Sequence, residues 1–212
     1  MTNKIIGIQG DKLDKINISS DTSIFLAHEA QKLGYKIFYY TPSNLSIIKN
    51  KTYANGVFLK FNYERKKFYK IYKKQKINVE NLKFILIRQD PPFNSEYLIT
   101  TLILDGLKKV KVINNPTAIR NVSEKLYSKH FIKYMPNTLF SNNIVEIKKF
   151  YNQNKSIIMK PINGYGGNQI HLIKDKFNKK LITNFLNKNG HSMFQKFLKN
   201  ISKGDKRVFI IN

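Results

Sequence analysis

The sequence predicts an α/β protein built in two parts, the first of them around a parallel sheet. Three observations lead there. The chain opens as strand, helix, strand, the connection that parallel pairing requires. A second apolar strand, Phe84–Ile87, again runs on into a helix and a strand. After Pro136 the order changes to strand, helix, strand, glycine loop, strand, helix, strand, which puts the boundary between the parts near residues 115–124.

Each element has a local reason. Lys4 to Gln9 (KIIGIQ) reads as a buried first strand. Asp21-Thr22 caps a helix through Leu33 with Ile24, Leu26, Ala27, Ala30 and Leu33 on one side, and Gly34 ends it. Tyr35 to Thr41 is a second strand, stopped by Pro42. Asn55-Gly56 predicts a tight hairpin between Lys51–Ala54 and Val57–Phe61. Asn62 to Lys76 sets Tyr63, Phe68, Tyr69, Ile71 and Tyr72 among lysines, which predicts a surface helix with an apolar underside, the alternative being a partner-binding face. Ser95 to Leu107 is the next helix, Val110 to Ile113 the next strand, and helical signals resume at Ser123 to Tyr134. The second part then offers strands at 138–140, Ile157–Lys160, Gln169–Ile173 and Ser192–Gln195, and helices at Ile144–Asn154 and Lys179–Asn187.

Composition narrows the function classes. The 212 residues are 42% hydrophobic, enough for a buried core, and carry a formal charge of +25. That charge invites a nucleic-acid reading. Yet 34 of the 38 basic residues are Lys, and Lys, Ile and Asn together fill 88 positions, all with A/T-rich codons. Nucleic-acid surfaces favour Arg, which forks onto phosphate and stacks on bases. Compositional drift is the simpler cause, so the expectation is weak, salt-sensitive attraction to polyanions and no specific nucleic-acid partner. The absence of Cys excludes a disulfide scaffold, a zinc ribbon and a thiol nucleophile. No apolar run approaches a membrane span and the N-terminus has no signal-peptide core, so the expected compartment is the cytoplasm. His28, His130, His171 and His191 are scattered without metal spacing.

Four segments can carry chemistry. Ile157 to Gly167 runs a strand into Lys160 and then a loop with Gly164, Gly166 and Gly167 around Tyr165. Glycines let a backbone bend closely over a phosphate and donate N–H groups to it, and a lysine at the strand end adds a point charge. The lysine precedes the glycines, so this is no Walker A loop, and on this stretch alone an ordinary turn remains an equal reading. Lys125 stands in the first turns of a helix at the boundary. Gln195-Lys196-Phe197-Leu198 ends an apolar strand, where backbone groups can meet a purine edge. Gly204-Asp205-Lys206-Arg207-Val208 sets an acid and two bases on the entry to a new strand.

In this order the segments resemble the ATP-grasp ligases and, within them, the bacterial glutathione synthetase family. Arg88-Gln89-Asp90-Pro91-Pro92-Phe93, Asn114-Asn115-Pro116 through Arg120, Asn121 and Glu124-Lys125-Leu126, Lys160-Pro161 with its glycines, and Gly204 to Arg207 all fit. So do Ile16-Asn17-Ile18, Asp21-Thr22-Ser23, Glu29-Ala30-Gln31 and Gly34-Tyr35 near the start. The resemblance covers essentially the whole chain. It implies an N-terminal pre-ATP-grasp substrate domain over 1–121 and an incomplete ATP-grasp domain over 122–212, the nucleotide lid lobe and the start of a central sheet.

The resemblance implies joining of glycine to γ-glutamylcysteine through an acyl phosphate, with ATP as cofactor. By similarity, Lys125 and Lys160 grip the phosphates, and Gly164, Tyr165, Gly166 and Gly167 close as a lid. Gln195, Lys196, Phe197 and Leu198 hold the adenine, and Asp205 and Arg207 lie near ribose and phosphates. Lys160 and Arg207 are the expected catalytic residues, and Arg88 with Asp90 is expected to meet the peptide substrate. The family continues past the position of Asn212, and its magnesium ligands lie in that further part. Magnesium is therefore expected for the family with its ligands absent from this chain. A homo-oligomer is a possible assembly. An incomplete record of a longer enzyme, a truncated non-catalytic remnant and a basic nucleic-acid-binding module stay open as readings.

Overall fold

The computed structural model describes residues 4–19, 21–62, 68–206 and 208. The chain divides into two compact units, residues 1–121 and 122–212. The first contains β1 (Ile5–Gln9), α1 (Thr22–Lys32), β2 (Lys36–Tyr40), β3 (Leu45–Ile48), β4 (Lys51–Phe61), β5 (Tyr69–Asn78), β6 (Phe84–Ile87), α2 (Ser95–Asp105), β7 (Lys111–Ile113) and α3 (Pro116–Asn121). Its sheet runs β3-β4-β2-β1-β6-β7, with β5 added to β4. Strands β2, β1, β6 and β7 are mutually parallel, as the strand–helix–strand opening requires.

Alternation along the strands sends side chains to two cores. Ile6, Ile8 and Ile37 pack on Ile24 and Ala27 of α1, while Phe38, Ile85 and Ile87 share the opposite core with Leu104 of α2. Helix α1 is capped by Asp21, whose carboxylate accepts from Ser23 N at 2.6 Å. The chain leaves β1 toward β2 on one side and β6 toward β7 on the other. The carboxyl ends of β1 and β6 therefore form a topological switch point, where open α/β sheets bind ligands.

Two expectations in this unit are corrected. No hairpin forms at Asn55-Gly56: β4 runs unbroken through both. Gly56 is there for close approach, because a Cβ would lie 2.5 Å from Phe38 Cζ and 2.6 Å from the Tyr39 carbonyl oxygen. The hairpin sits at Lys49-Asn50, between β3 and β4, with φ of 48° and 58°, the left-handed pair of a two-residue type I′ turn. The surface helix expected over 62–76 is instead strand β5 from Tyr69, and residues 63–67, Tyr63 included, lie outside the described residues. The eleven residues of β4 share one edge between β2 and β3 and offer the whole other edge to β5. That ladder satisfies backbone groups a lone surface helix would satisfy only within itself. The exposed lysines of β5 then discourage further pairing at the sheet edge.

The second unit contains α4 (Glu124–Tyr127), β8 (Thr138–Ser141), α5 (Ile144–Asn154), β9 (Ile157–Pro161), β10 (His171–Ile173), α6 (Lys179–Asn189) and β11 (Ser192–Lys196). The helix expected over Ser123–Tyr134 is only the single turn α4 followed by 3-10 turns, with Phe131 at φ −116° breaking the run. Strand β10 starts later than expected because Gln169 adopts φ 58°. Its sheet runs β10-β9-β11-β8, antiparallel throughout. One face is covered by α5 and α6, where Ile147, Tyr151, Ile182 and Phe185 pack on Ile157, Met159, Ile173 and Phe194. Each such side chain contributes roughly 1.5–3 kcal/mol. The other face carries Thr138, Ile158, Lys160, Met193 and Gln195 by the same alternation. After a 3-10 turn at Lys199–Lys203, residues 204–206 form no strand. Of the strand expected beyond them, Arg207 and residues 209–212 lie outside the described residues.

Candidate functional site

In the second unit, β9 carries Lys160 up to the glycine loop. Its ammonium donates to Gln195 Oε1 at 2.8 Å. Gln195 Nε2 donates to Thr138 Oγ1 at 3.0 Å, and Thr138 Oγ1 donates to the Pro136 carbonyl at 2.6 Å. Lys160 is half-buried, and burial first, then the charge of Lys125, holds it below the ordinary lysine range. Lys125, on α4, donates to the Gly164 carbonyl, with Glu124 Oε1 4.0 Å away. The structure thus brings two ammonium groups, 35 residues apart in sequence, to one loop.

The glycines have separate causes. At Gly164 a Cβ would collide with the Pro161 ring. Gly166 and Gly167 adopt φ of 58° and 74°, and a Cβ on Gly167 would meet nothing within 4 Å. The loop is stitched by Gly164 N to Pro161 O at 3.3 Å and Asn168 N to Tyr165 O at 3.0 Å. Among the described residues nothing accepts from the N–H groups of Gly166 or Gly167, and both residues are exposed. Tyr165 is exposed beside them.

The remaining expected positions are arranged less simply. Gln195 is buried with both ends of its amide bonded inside the fold. The N–H groups of Lys196 and Phe197 are taken by the carbonyls of Asn137 and Ser156, both at 2.9 Å. Leu198 is exposed just past the strand, and Asp205 is exposed beyond the following turn.

In the first unit, Arg88 and Asp90 stand where β6 ends, at the switch point. Arg88 Nε donates to Ser23 Oγ at 2.9 Å and its NH2 group to Thr22 Oγ1 at 2.6 Å, both at the start of α1. Asp90 N donates to Asp11 Oδ2 at 2.8 Å. Asp11, Asp21, Arg88 and Asp90 line a cavity of about 190 Å³. Burial, then Asp11 and Asp21, push the Asp90 carboxyl above its ordinary range, with Arg88 opposing. On the opposite side of the strand end, Gln89 is buried and accepts from Gln9.

Comparison with known proteins places the chain. Family models of prokaryotic glutathione synthetase match residues 5–120 (N-terminal domain) and 124–212 (ATP-grasp domain). The chain belongs to the prokaryotic glutathione synthetase family. Glutathione synthetase of Buchnera aphidicola (subspecies Acyrthosiphon pisum) is 35% identical over 98% of this chain, and that of Wigglesworthia glossinidia brevipalpis 36% over 98%. The chain spans 66% and 67% of those two proteins, about two-thirds of their length. An ATP-grasp RimK-domain protein from Sphaerobacter thermophilus shares the fold, with a TM-score of 0.57 at 10% identity, covering 92% of this chain and 64% of that one.

Magnesium is the ion that the family implies. Among the described residues no three His, Cys, Asp or Glu side chains gather as a metal site, and Glu124 beside Lys125 is exposed. The sequence does not reveal Asp11, Thr22 and Ser23 as neighbours of Arg88 or Thr138 as a neighbour of Gln195, and it marks Asp21 as a helix cap within a motif of the family. Asp11 had a usable signal, an acid directly beyond the carboxyl end of a buried strand. Thr138 had only its place in an alternating strand.

Proposed function

We propose that this chain carries the phosphate grip and the peptide-substrate pocket of a cytoplasmic glutathione synthase, which joins glycine to γ-glutamylcysteine with ATP. Residues 1–121 act as the substrate domain and 122–212 as the nucleotide lobe. The observation that supports this most is the meeting of Lys125 and Lys160 at the loop of Gly164, Gly166 and Gly167. In the reaction, an oxygen of the cysteine carboxylate attacks the γ-phosphorus, and the bond to ADP breaks. The amine of glycine then attacks the acyl carbon, inorganic phosphate leaves, and the amine loses its proton.

Negative charge builds on the transferring phosphoryl group, and the two ammonium groups offset it where donors are pre-placed. The free N–H groups of Gly166 and Gly167 hold phosphate oxygens, and the loop with Tyr165 excludes the water that would hydrolyse the acyl phosphate. With the Lys196 and Phe197 N–H groups used by the fold, Leu198 supplies the donor for the purine edge. Asp205 and Arg207 serve ribose and phosphates. Arg88 pairs with a substrate carboxylate and the carboxylates around it with the substrate ammonium.

The test is calorimetric titration with ADP, with Lys160→Ala set beside Lys73→Ala on exposed β5. Lys160→Ala should weaken binding about tenfold or more, the worth of a charge-assisted hydrogen bond, and Lys73→Ala should not. Equal effects would refute the assignment. In any active preparation, phosphate release must depend on both γ-glutamylcysteine and glycine.

A further inference from the structure

We infer that Gln195 is a positioning residue that holds Lys160 in its protonated form, and that Thr138 fixes which end of the Gln195 amide faces the lysine. This goes beyond an adenine role for Gln195. Its consequence for nucleotide binding rests on the reading above, but its effect on Lys160 does not.

The direction of every bond in the chain is forced. A backbone carbonyl only accepts, so the Pro136 oxygen at 2.6 Å takes the single hydroxyl proton of Thr138. The Thr138 oxygen then has only lone pairs to offer Gln195, and the amide must present its NH2 group there, at 3.0 Å. Its carbonyl oxygen is left for Lys160 Nζ, at 2.8 Å, and an ammonium can only donate. Both ends of the amide agree. A flipped amide would set NH2 against the ammonium and oxygen against oxygen. Register makes the contact possible: Gln195 lies directly opposite Thr138, and Lys160 lies diagonally across on β9, all on one face of the sheet.

Lys160 needs such a partner. Burial and the charge of Lys125 both favour its neutral form, which would offer a phosphate no charge. Among the described residues no carboxylate lies within ion-pair distance of it. Among the described residues, the charge that acts on it is Lys125 of α4, which has the exposed Glu124 beside it. His171 of β10 and Lys196 of β11 fall on the opposite face by alternation. An acceptor bonded to the charged form favours that form. A neutral acceptor does so without cancelling the charge that an incoming phosphate must meet, as a glutamate would.

The experiment is pH-dependent acetylation of the folded full chain without nucleotide, reading the Lys160 peptide by mass spectrometry against exposed Lys73. Gln195→Leu should move the labelling midpoint of Lys160 to lower pH, Gln195→Glu should move it higher, and Thr138→Val should move it lower by less. Lys73 should not move. In parallel, Gln195→Leu should weaken ADP binding progressively more than in the unsubstituted chain as pH rises. If the Lys160 midpoint stays in place in both Gln195→Leu and Thr138→Val, the inference is overturned; Thr138→Val alone decides it if Gln195→Leu does not fold. Shifted midpoints in a chain that binds no ADP would uphold the inference and overturn the nucleotide reading instead.

Discussion

Replacing Gly167 with alanine separates a loop built for a ligand from a loop built for the fold. Gly167 adopts φ 74°, and an added Cβ would meet nothing within 4 Å. There is no steric cost to neighbours, so the whole penalty is the left-handed backbone, about 1–2 kcal/mol for a residue with a Cβ. In the free protein an open loop can relax away from that conformation, and little stability should be lost, under about 0.5 kcal/mol. If bound phosphate requires the loop shape seen here, the penalty returns on binding. ADP affinity should then fall by about 5- to 30-fold, the ratio corresponding to 1–2 kcal/mol. Calorimetry gives the affinity and urea unfolding the stability of the same preparation. Lost stability of 1–2 kcal/mol with unchanged affinity would refute the reasoning, because the loop shape would then serve the fold and not the nucleotide.

Three further outcomes follow from the geometry. Gly56→Ala should cost about 1–3 kcal/mol, since its Cβ would sit 2.6 Å from the Tyr39 carbonyl inside the β2–β4 ladder, whereas Lys49→Gly should gain about 0.5–1 kcal/mol by relieving a positive φ; a hairpin at Asn55-Gly56 would leave no gain at Lys49. Ile147→Ala, in the fully buried core beneath α5, should cost about 2–5 kcal/mol, and Val145→Ala on the exposed side of the same helix under about 0.5, read from urea midpoints. Asp90 has a carboxyl raised above 3.8 by burial and by Asp11 and Asp21, so the folded state keeps its proton longer than the unfolded state. Stability should fall as pH rises from 3.8 through that raised value and then level. Asp90→Asn should remove this slope and raise the unfolding midpoint at pH 7, and an unchanged slope would contradict the assigned proximity.

Local features of the second unit are legible in the sequence. Helix α5 has the bounds expected of it because Asn143 caps its start, accepting from Val145 and Glu146, and apolar residues recur at helical spacing. The lysine and its glycines are contiguous, so strand, charge and loop could be seen together. Strand β5 could not. Its run of aromatics and lysines satisfies a helical and a strand pattern alike, and only the free edge of β4 decides between them. The place of the hairpin is hidden for a related reason. Asn-Gly is a strong turn signal, but Gly56 was needed for backbone closeness, and the turn fell on Lys49-Asn50, which carries no glycine.

By itself the sequence determined the α/β class, the family, the division into two parts and the short motifs in which charge and flexibility lie next to each other along the chain. The class and the division follow from periodicity, caps and composition, which act over a few residues; the family follows from the resemblance of motifs in their order along the chain. The tertiary structure alone decided which distant groups meet: Lys125 with the glycine loop, Arg88 with Thr22 and Ser23, Asp90 with Asp11, and the line from Pro136 through Thr138 and Gln195 to Lys160. Strand register and the order of strands in the sheet set those meetings, and both depend on packing between segments 30 to 80 residues apart, where local preference carries no information.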